Sequence, residues 1–247
     1  MRILLINPNM TEAMTVSMTA VARSVAGQDA DIVPLTATSG FPYIASRAEA
    51  QISGANVLEM IAEHLESVDA VIIAAFGDPG LVAARELFDL PVVGMAEAAV
   101  ISAAMLGERF SIVTFSPHMV RWYTDCVRQT GLEARFTGVR CPANAPSSVD
   151  DVAEALRDDL IHLVNDATAR DGADVVILGG APLAGLAQDL SGQAPGILID
   201  PIAAATAQAM SLIRLAPDYG RRTGRPAAKS ASGLGQALTD VIAGGAT

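Results

Sequence analysis

A chain of 247 residues that is 51% hydrophobic carries enough apolar material for one large core or two linked ones. Its formal charge of −11, without a dense run of Lys or Arg, excludes a nucleic-acid footprint and disfavours an anionic membrane surface. No run of about 18 apolar residues occurs, so no transmembrane helix is expected, and the chain opens on a strand-like run rather than a leader, which predicts a cytoplasmic protein.

In chain order, residues 3–6 form the first apolar strand run. A helix over 11–25 follows, with Asn9 before it as a suitable N-cap. Residues 36–46 contain Gly40 and Pro42 and read as a flap between a strand and a helix. A helix over 57–67, a strand over 71–74 and helices over 83–88 and 96–106 come next. A strand over 111–114 leads to helices over 120–130 and 149–169. Strands over 175–178 and 197–199 precede a helix over 202–215. The strand runs are continuously apolar rather than alternating, which predicts parallel strands buried on both faces. From residue 216 the chain is rich in Gly, Arg, Ala and Ser; 218–235 reads as an extended or mobile tail, and 238–242 as a short terminal helix or frayed end.

Two segments repeat. Asp69-Ala-Val-Ile-Ile-Ala-Ala-Phe-Gly-Asp-Pro-Gly-Leu81 parallels Asp174-Val-Val-Ile-Leu-Gly-Gly-Ala-Pro-Leu-Ala-Gly-Leu186. Residues 2–9 parallel 109–117, and 90–99 parallel 196–205. The matched order predicts a duplicated α/β unit: two pseudo-symmetric lobes with parallel-rich sheets flanked by helices and a cleft between them. The lobes span 1–99 and 100–215, with 200–215 packing back on the first, and 216–247 forms the tail.

Ligands of parallel α/β sheets bind beyond the carboxyl ends of the strands. Four corners qualify, at residues 7–11, 75–80, 114–118 and 179–182. Each runs into a helix N-terminus, whose free N–H groups suit a carboxylate or enolate oxygen, although ordinary capping explains any one of them alone. The candidate binding residues are Asn9, Thr11, Ala75, Phe76, Gly77, Thr114, Phe115, Ser116, Gly180 and Ala181. His118 is the imidazole at a strand tip, either a general acid or base or a surface residue of a helix's first turn. Asp78 is a second candidate for proton transfer; Asp78, Glu97 and Asp200 equally suit helix capping. Tyr43 and Arg47 belong to the flap, where they meet substrate or solvent. His64 and His162 fall within helices. Cys126 and Cys141 lack metal or redox spacing and read as packing residues. No metal or organic cofactor is expected.

The stretches Ile6-Asn7-Pro8-Asn9-Met10-Thr11, Phe76-Gly77-Asp78-Pro79-Gly80-Leu81, Gly94-Met95-Ala96-Glu97-Ala98-Ala99 and Val176-Ile177-Leu178-Gly179-Gly180-Ala181 resemble the hydantoin racemase branch of the aspartate/glutamate racemase superfamily, over about residues 1–215. The resemblance implies cofactor-independent proton chemistry next to a carbonyl, on a small anionic or ureide substrate held between two lobes. It also implies one cysteine per lobe, at the positions that here are Ala75 and Gly180. Neither residue can carry a proton, so cysteine-based racemisation is not expected. His118, Tyr43 and Asp78 remain as proton donors, with isomerisation or decarboxylation as fitting reactions and an inactive anion-binding relative as the alternative. A homo-oligomer is expected.

Overall fold

The computed structural model describes residues 1–146, 148, 149 and 152–244. The first lobe contains β1 (Arg2–Asn7), α1 (Glu12–Ala26), β2 (Asp31–Thr36), α2 (Arg47–His64), β3 (Ala70–Ile73), α3 (Leu81–Leu87), β4 (Val92–Gly94) and α4 (Met95–Leu106). The second contains β5 (Phe110–Val113), α5 (Val120–Gln129), β6 (Phe136–Arg140), α6 (Val152–Ala155), α7 (Arg157–Ala169), β7 (Val175–Leu178), α8 (Leu186–Asp189), β8 (Ile197–Ile199) and α9 (Pro201–Leu215). A last helix, α10 (Gln236–Ile242), ends the described chain.

Each lobe has a four-stranded parallel sheet, ordered β2-β1-β3-β4 in one and β6-β5-β7-β8 in the other. The duplication extends to single hydrogen bonds. Asp69 accepts the Arg2 amide at 2.7 Å and returns its own amide to the Arg2 carbonyl at 2.7 Å. Asp174 accepts the Arg109 amide at 2.9 Å and returns its amide to the Arg109 carbonyl at 2.9 Å. These two aspartates fix the same strand register in both lobes. Beyond them β3 and β7 are buried at every residue, which explains their Val- and Ile-rich, non-alternating sequences.

The last helix of each lobe crosses to the other. Helix α4 packs on β5, β7 and β8, whereas α9 packs on α1, β3 and β4. The two helices also pack on each other, through faces dominated by alanine. Gln208 ties them by donating to the Ala98 carbonyl at 2.9 Å and to Ser102 Oγ at 3.0 Å. One apolar core therefore runs through both lobes, with a smaller core on the outer side of each. This exchange holds the strand tips of the two sheets in fixed relation.

Helix α2 starts at Arg47, ten residues ahead of the helix expected from the apolar pattern at 57–67. Its start is a capping box: Ser46 Oγ accepts the Glu49 amide and the Glu49 carboxylate accepts the Ala45 amide. The strands β2, β4 and β6 were not visible as apolar runs; β2 contains Pro34, β4 has three residues, and β6 is only half-buried. Of the helix expected over 149–169, residues 150 and 151 lie outside the described residues; the remainder divides into α6 and α7. The tail is irregular apart from the turn Tyr219–Arg221, yet it is held to the first lobe. Arg222 donates to the Phe88 carbonyl at 3.0 Å and to those of Arg85 and Glu86, closing the free end of α3. Helix α10 buries Leu238 and Val241 in the outer core of the first lobe. No helix among the described residues is long and apolar enough to cross a membrane.

Candidate active site

The corners after β1, β3, β5 and β7 meet between the lobes. Tyr43, Phe76, Phe115, Trp122 and Tyr123, half of the chain's aromatic side chains, gather there. The Phe76 ring from the first lobe lies 4.5 Å from that of Tyr123 in the second, and Tyr43 lies 5.9 Å from Phe115. Small residues at the tips let these rings approach. A β-carbon on Gly77, where φ is +134°, would stand 2.1 Å from the Trp122 ring.

Among the described residues, the backbone amides of Phe76, Gly77, Phe115, Ser116, Gly180 and Ala181 donate to no protein group. All of these residues except Gly77 are buried. Buried amides without partners are rare, since each costs free energy comparable to a lost hydrogen bond. Here they cluster at three strand tips, from both lobes.

The first corner has a supporting role. Asn7, fully buried, donates to Asn9 Oδ1 at 3.0 Å, to the Thr11 carbonyl at 3.1 Å and to Thr15 Oγ1 at 3.0 Å. Asn9 Oδ1 accepts the Thr11 amide at 2.9 Å, and Thr11 Oγ1 donates to the Pro42 carbonyl at 2.6 Å. The Met10 amide donates to the Phe41 carbonyl at 2.9 Å. Asn9 and Thr11 thus shape the loop and fasten the flap across the β1 tip.

Ala75 and Gly180, the positions aligned by the repeat, are both buried. Ala75 offers a methyl group. Gly180 has φ +130°, and a β-carbon there would lie 2.7 Å from the Phe115 ring and 3.6 Å from the Tyr123 hydroxyl. The second lobe therefore fills with Phe115 the space that a side chain at 180 would need.

The hydroxyls of Tyr43, Tyr123 and Thr114 form a row beside Gly180. Thr114 is wholly buried beside Tyr123. Burial pushes both phenols far above the ordinary tyrosine range, so both hold their protons at neutral pH. Burial likewise raises the Cys126 thiol, which makes it a packing residue rather than a nucleophile. Cys141 is half-buried.

Asp78 does not face the strand tips with a free carboxylate. Its two oxygens accept the Ala96 and Glu97 amides, each at 2.8 Å, and so cap α4. Its own φ is +49°, an uncommon conformation for a non-glycine residue. Gly94 leaves room for it, since a β-carbon there would meet Asp78 Cγ at 2.4 Å. The second lobe solves the same problem in reverse: Asp200 stands at the position aligned with Gly94, and accepts the amides of Ile202 at 2.8 Å, Ala203 at 3.1 Å and Gly185 at 2.6 Å. Glu97 pairs with Arg85, and Arg47 pairs with Asp125 of α5.

Burial raises the Asp78 carboxyl from 3.8 to about 7 against the pull of the two amides. The unfolded chain thus ionises first as pH rises, and folding stability is expected to fall between about pH 4 and about pH 7 on this account. Asp78→Asn should lose that dependence, so its melting temperature should gain on that of the unsubstituted protein as pH rises across the window. Parallel melting curves for the two proteins would refute this assignment.

His118 is exposed on the turn Pro117–Met119, and among the described residues its imidazole has no partner. Only its backbone amide joins the corner, donating to Ser116 Oγ at 3.4 Å. The structure therefore brings Tyr43 to the tips, engages Asp78 in capping, and leaves the His118 side chain on the surface. Tyr123, which no local sequence pattern marks, joins the tips from α5. Cavities of about 330 Å³, beside Thr11 and Ala181, and about 380 Å³, beside Gly77, Asp78 and Trp122, flank the tips. A larger one, of about 550 Å³, lies under the tail against α2 and α3.

Two duplicated lobes, each built on a four-stranded parallel sheet, define a two-lobed α/β fold. Residues 3–209 match the model of the Asp/Glu/hydantoin racemase family. A hydantoin racemase of Paenarthrobacter aurescens is 34% identical over 217 residues, covering 87% of this chain and 92% of the relative. The solved allantoin racemase of Klebsiella pneumoniae superposes with a TM-score of 0.89 at 34% identity, covering 96% of this chain and 98% of the other. That of Pseudomonas fluorescens gives 0.85 at 29% identity, covering 94% and 100%. The chain belongs to the Asp/Glu/hydantoin racemase family, in its hydantoin racemase branch.

Proposed function

We propose that the chain is a cofactor-independent enzyme that binds a small carboxylate or cyclic ureide between its lobes and stabilises the enolate-like state of that substrate. The observation that supports this reading is the set of unpartnered amides at Phe76, Gly77, Phe115, Ser116, Gly180 and Ala181. Fixed donors stabilise developing negative charge without reorganising. They act locally, so the chain's formal charge of −11 does not oppose them at this range. Relatives named for hydantoin and allantoin favour a cyclic ureide. Tyr43 supplies a proton-bearing group on the flap.

Titration of ¹⁵N-labelled protein with hydantoin or malonate tests the reading. The amides of Gly77, Ser116 and Gly180 are expected to shift together. Shifts confined to the cavity under the tail would contradict it. Binding without turnover of any ureide or carboxylate would instead assign the chain to the anion-binding alternative, which the bare Ala75 and Gly180 positions favour.

A further inference from the structure

We propose a second binding site, separate from the strand tips and independent of the reaction there: the cavity under the tail takes a linear aliphatic monocarboxylate. The tail is pinned on both sides of that cavity. On one side Arg222 donates to the carbonyls at the end of α3, and Asp89 pairs with both Arg222 and Arg225. On the other, α10 buries Leu238 and Val241, and the Gly235 amide donates to Glu59 Oε1 of α2 at 2.9 Å. The Lys229 amide donates to the Ile242 carbonyl at 3.2 Å and ties the tail to α10. Between these anchors runs Pro226-Ala227-Ala228, whose side chains are too small to fill the space beneath them. The result is a cavity of about 550 Å³, larger than either of those beside the strand tips. Protein interiors are otherwise packed to nearly crystal density, with few such spaces.

The lining defines the class of ligand. Its walls are aliphatic, with Leu58 from α2, Leu87 from α3, and Val241 and Ile242 from α10. Among the described residues, no aromatic ring, hydroxyl or side-chain amide lines it. A ureide, sugar or nucleotide would therefore leave polar atoms unpaired, which is costly. An alkyl chain loses nothing there and gains about fourfold in affinity for each methylene it buries. Small-molecule sites are in general mostly apolar cavities of roughly 300–1,000 Å³, with a few polar groups that fix orientation. Here the charged groups on the lining are Glu86, Arg225 and Lys229. Lys229 is the chain's only lysine, and among the described residues neither its ammonium nor the Glu86 carboxylate has a partner. Arg222 and Arg225 share the single carboxylate of Asp89, so cations exceed carboxylates around the cavity. That local excess, in a chain of formal charge −11, selects an anionic head beside Lys229.

The test titrates the full ¹⁵N-labelled chain with hexanoate, octanoate and decanoate below their micelle concentrations, and with decanol and decylamine. Decanoate is expected to saturate one site, shifting the amides of Leu87, Val241 and Ile242 and leaving those of Gly77, Ser116 and Gly180 in place. Affinity should rise about fourfold per methylene from hexanoate to decanoate. Decanol should bind about two- to fivefold more weakly than decanoate, and Lys229→Met should erase that difference. Ala227→Phe, on an irregular segment, should fill the cavity and remove binding at an unchanged melting temperature. Lys229→Met changes an exposed side chain and keeps the test sound where Ala227→Phe alters the fold. Preference for decylamine would assign the cavity to Glu86 and to cations, and would overturn the proposal. So would shifts at the strand tips, decanoate binding that Ala227→Phe leaves unchanged, or no saturable binding at all.

Discussion

Gly180→Cys is expected to lower stability by about 3 kcal/mol, whereas Ala75→Cys is expected to change it by less than about 1.5 kcal/mol. Two costs fall on position 180. Its φ of +130° is a conformation that β-carbon-bearing residues rarely adopt. Its β-carbon would also enter the Phe115 ring at 2.7 Å, in a core already packed. For a chain of this size the loss corresponds to a melting-temperature fall of roughly 10 °C. Ala75 has neither problem, because it already carries a β-carbon. Adding Phe115→Ala to Gly180→Cys should relieve the clash and leave the backbone cost. Thermal melts of the variants decide; a Gly180→Cys protein that melts with the unsubstituted one would mean that the glycine is incidental.

The duplicated scaffold was legible because parallel sheets impose strong local demands. Asp69 and Asp174 precede fully buried strands, and both strands run into corners of small residues; each feature serves the register or the tip. Edge strands were less legible, since β2 and β6 each have a free side and need fewer apolar residues. Helix α2 announced itself through Ser46 and Glu49, but Ser53 and Gly54 interrupt its apolar stripe. Gly54 is small because it packs on the Gly80 backbone, a contact no local pattern encodes. At the site, which corners meet was legible and which side chains point inward was not. His118 sits one turn beyond a strand tip and faces out. Asp78 caps a helix 18 residues along the chain rather than the helix it precedes. Tyr123 reaches the tips from α5, so only three-dimensional packing reveals it; the one sequence signal was its presence in a chain that is 4% aromatic.

Racemisation of a single-enantiomer hydantoin or allantoin is expected to be about 10⁴-fold or more below that of an enzyme with two proton carriers. Each positioned acid or base contributes about 10²–10⁴-fold, and racemisation needs one on either face of the carbon. At the two positions aligned by the repeat, Ala75 offers a methyl group and Gly180 a hydrogen, so neither carries a transferable proton. The most direct measurement follows one enantiomer of 5-substituted hydantoin in deuterated water with the purified chain, recording deuterium at the α-carbon by NMR and configuration by chiral chromatography. Little or no deuterium above the buffer rate is expected. Inversion that keeps pace with exchange at ordinary enzymatic rates would show a proton carrier on each face and contradict the account.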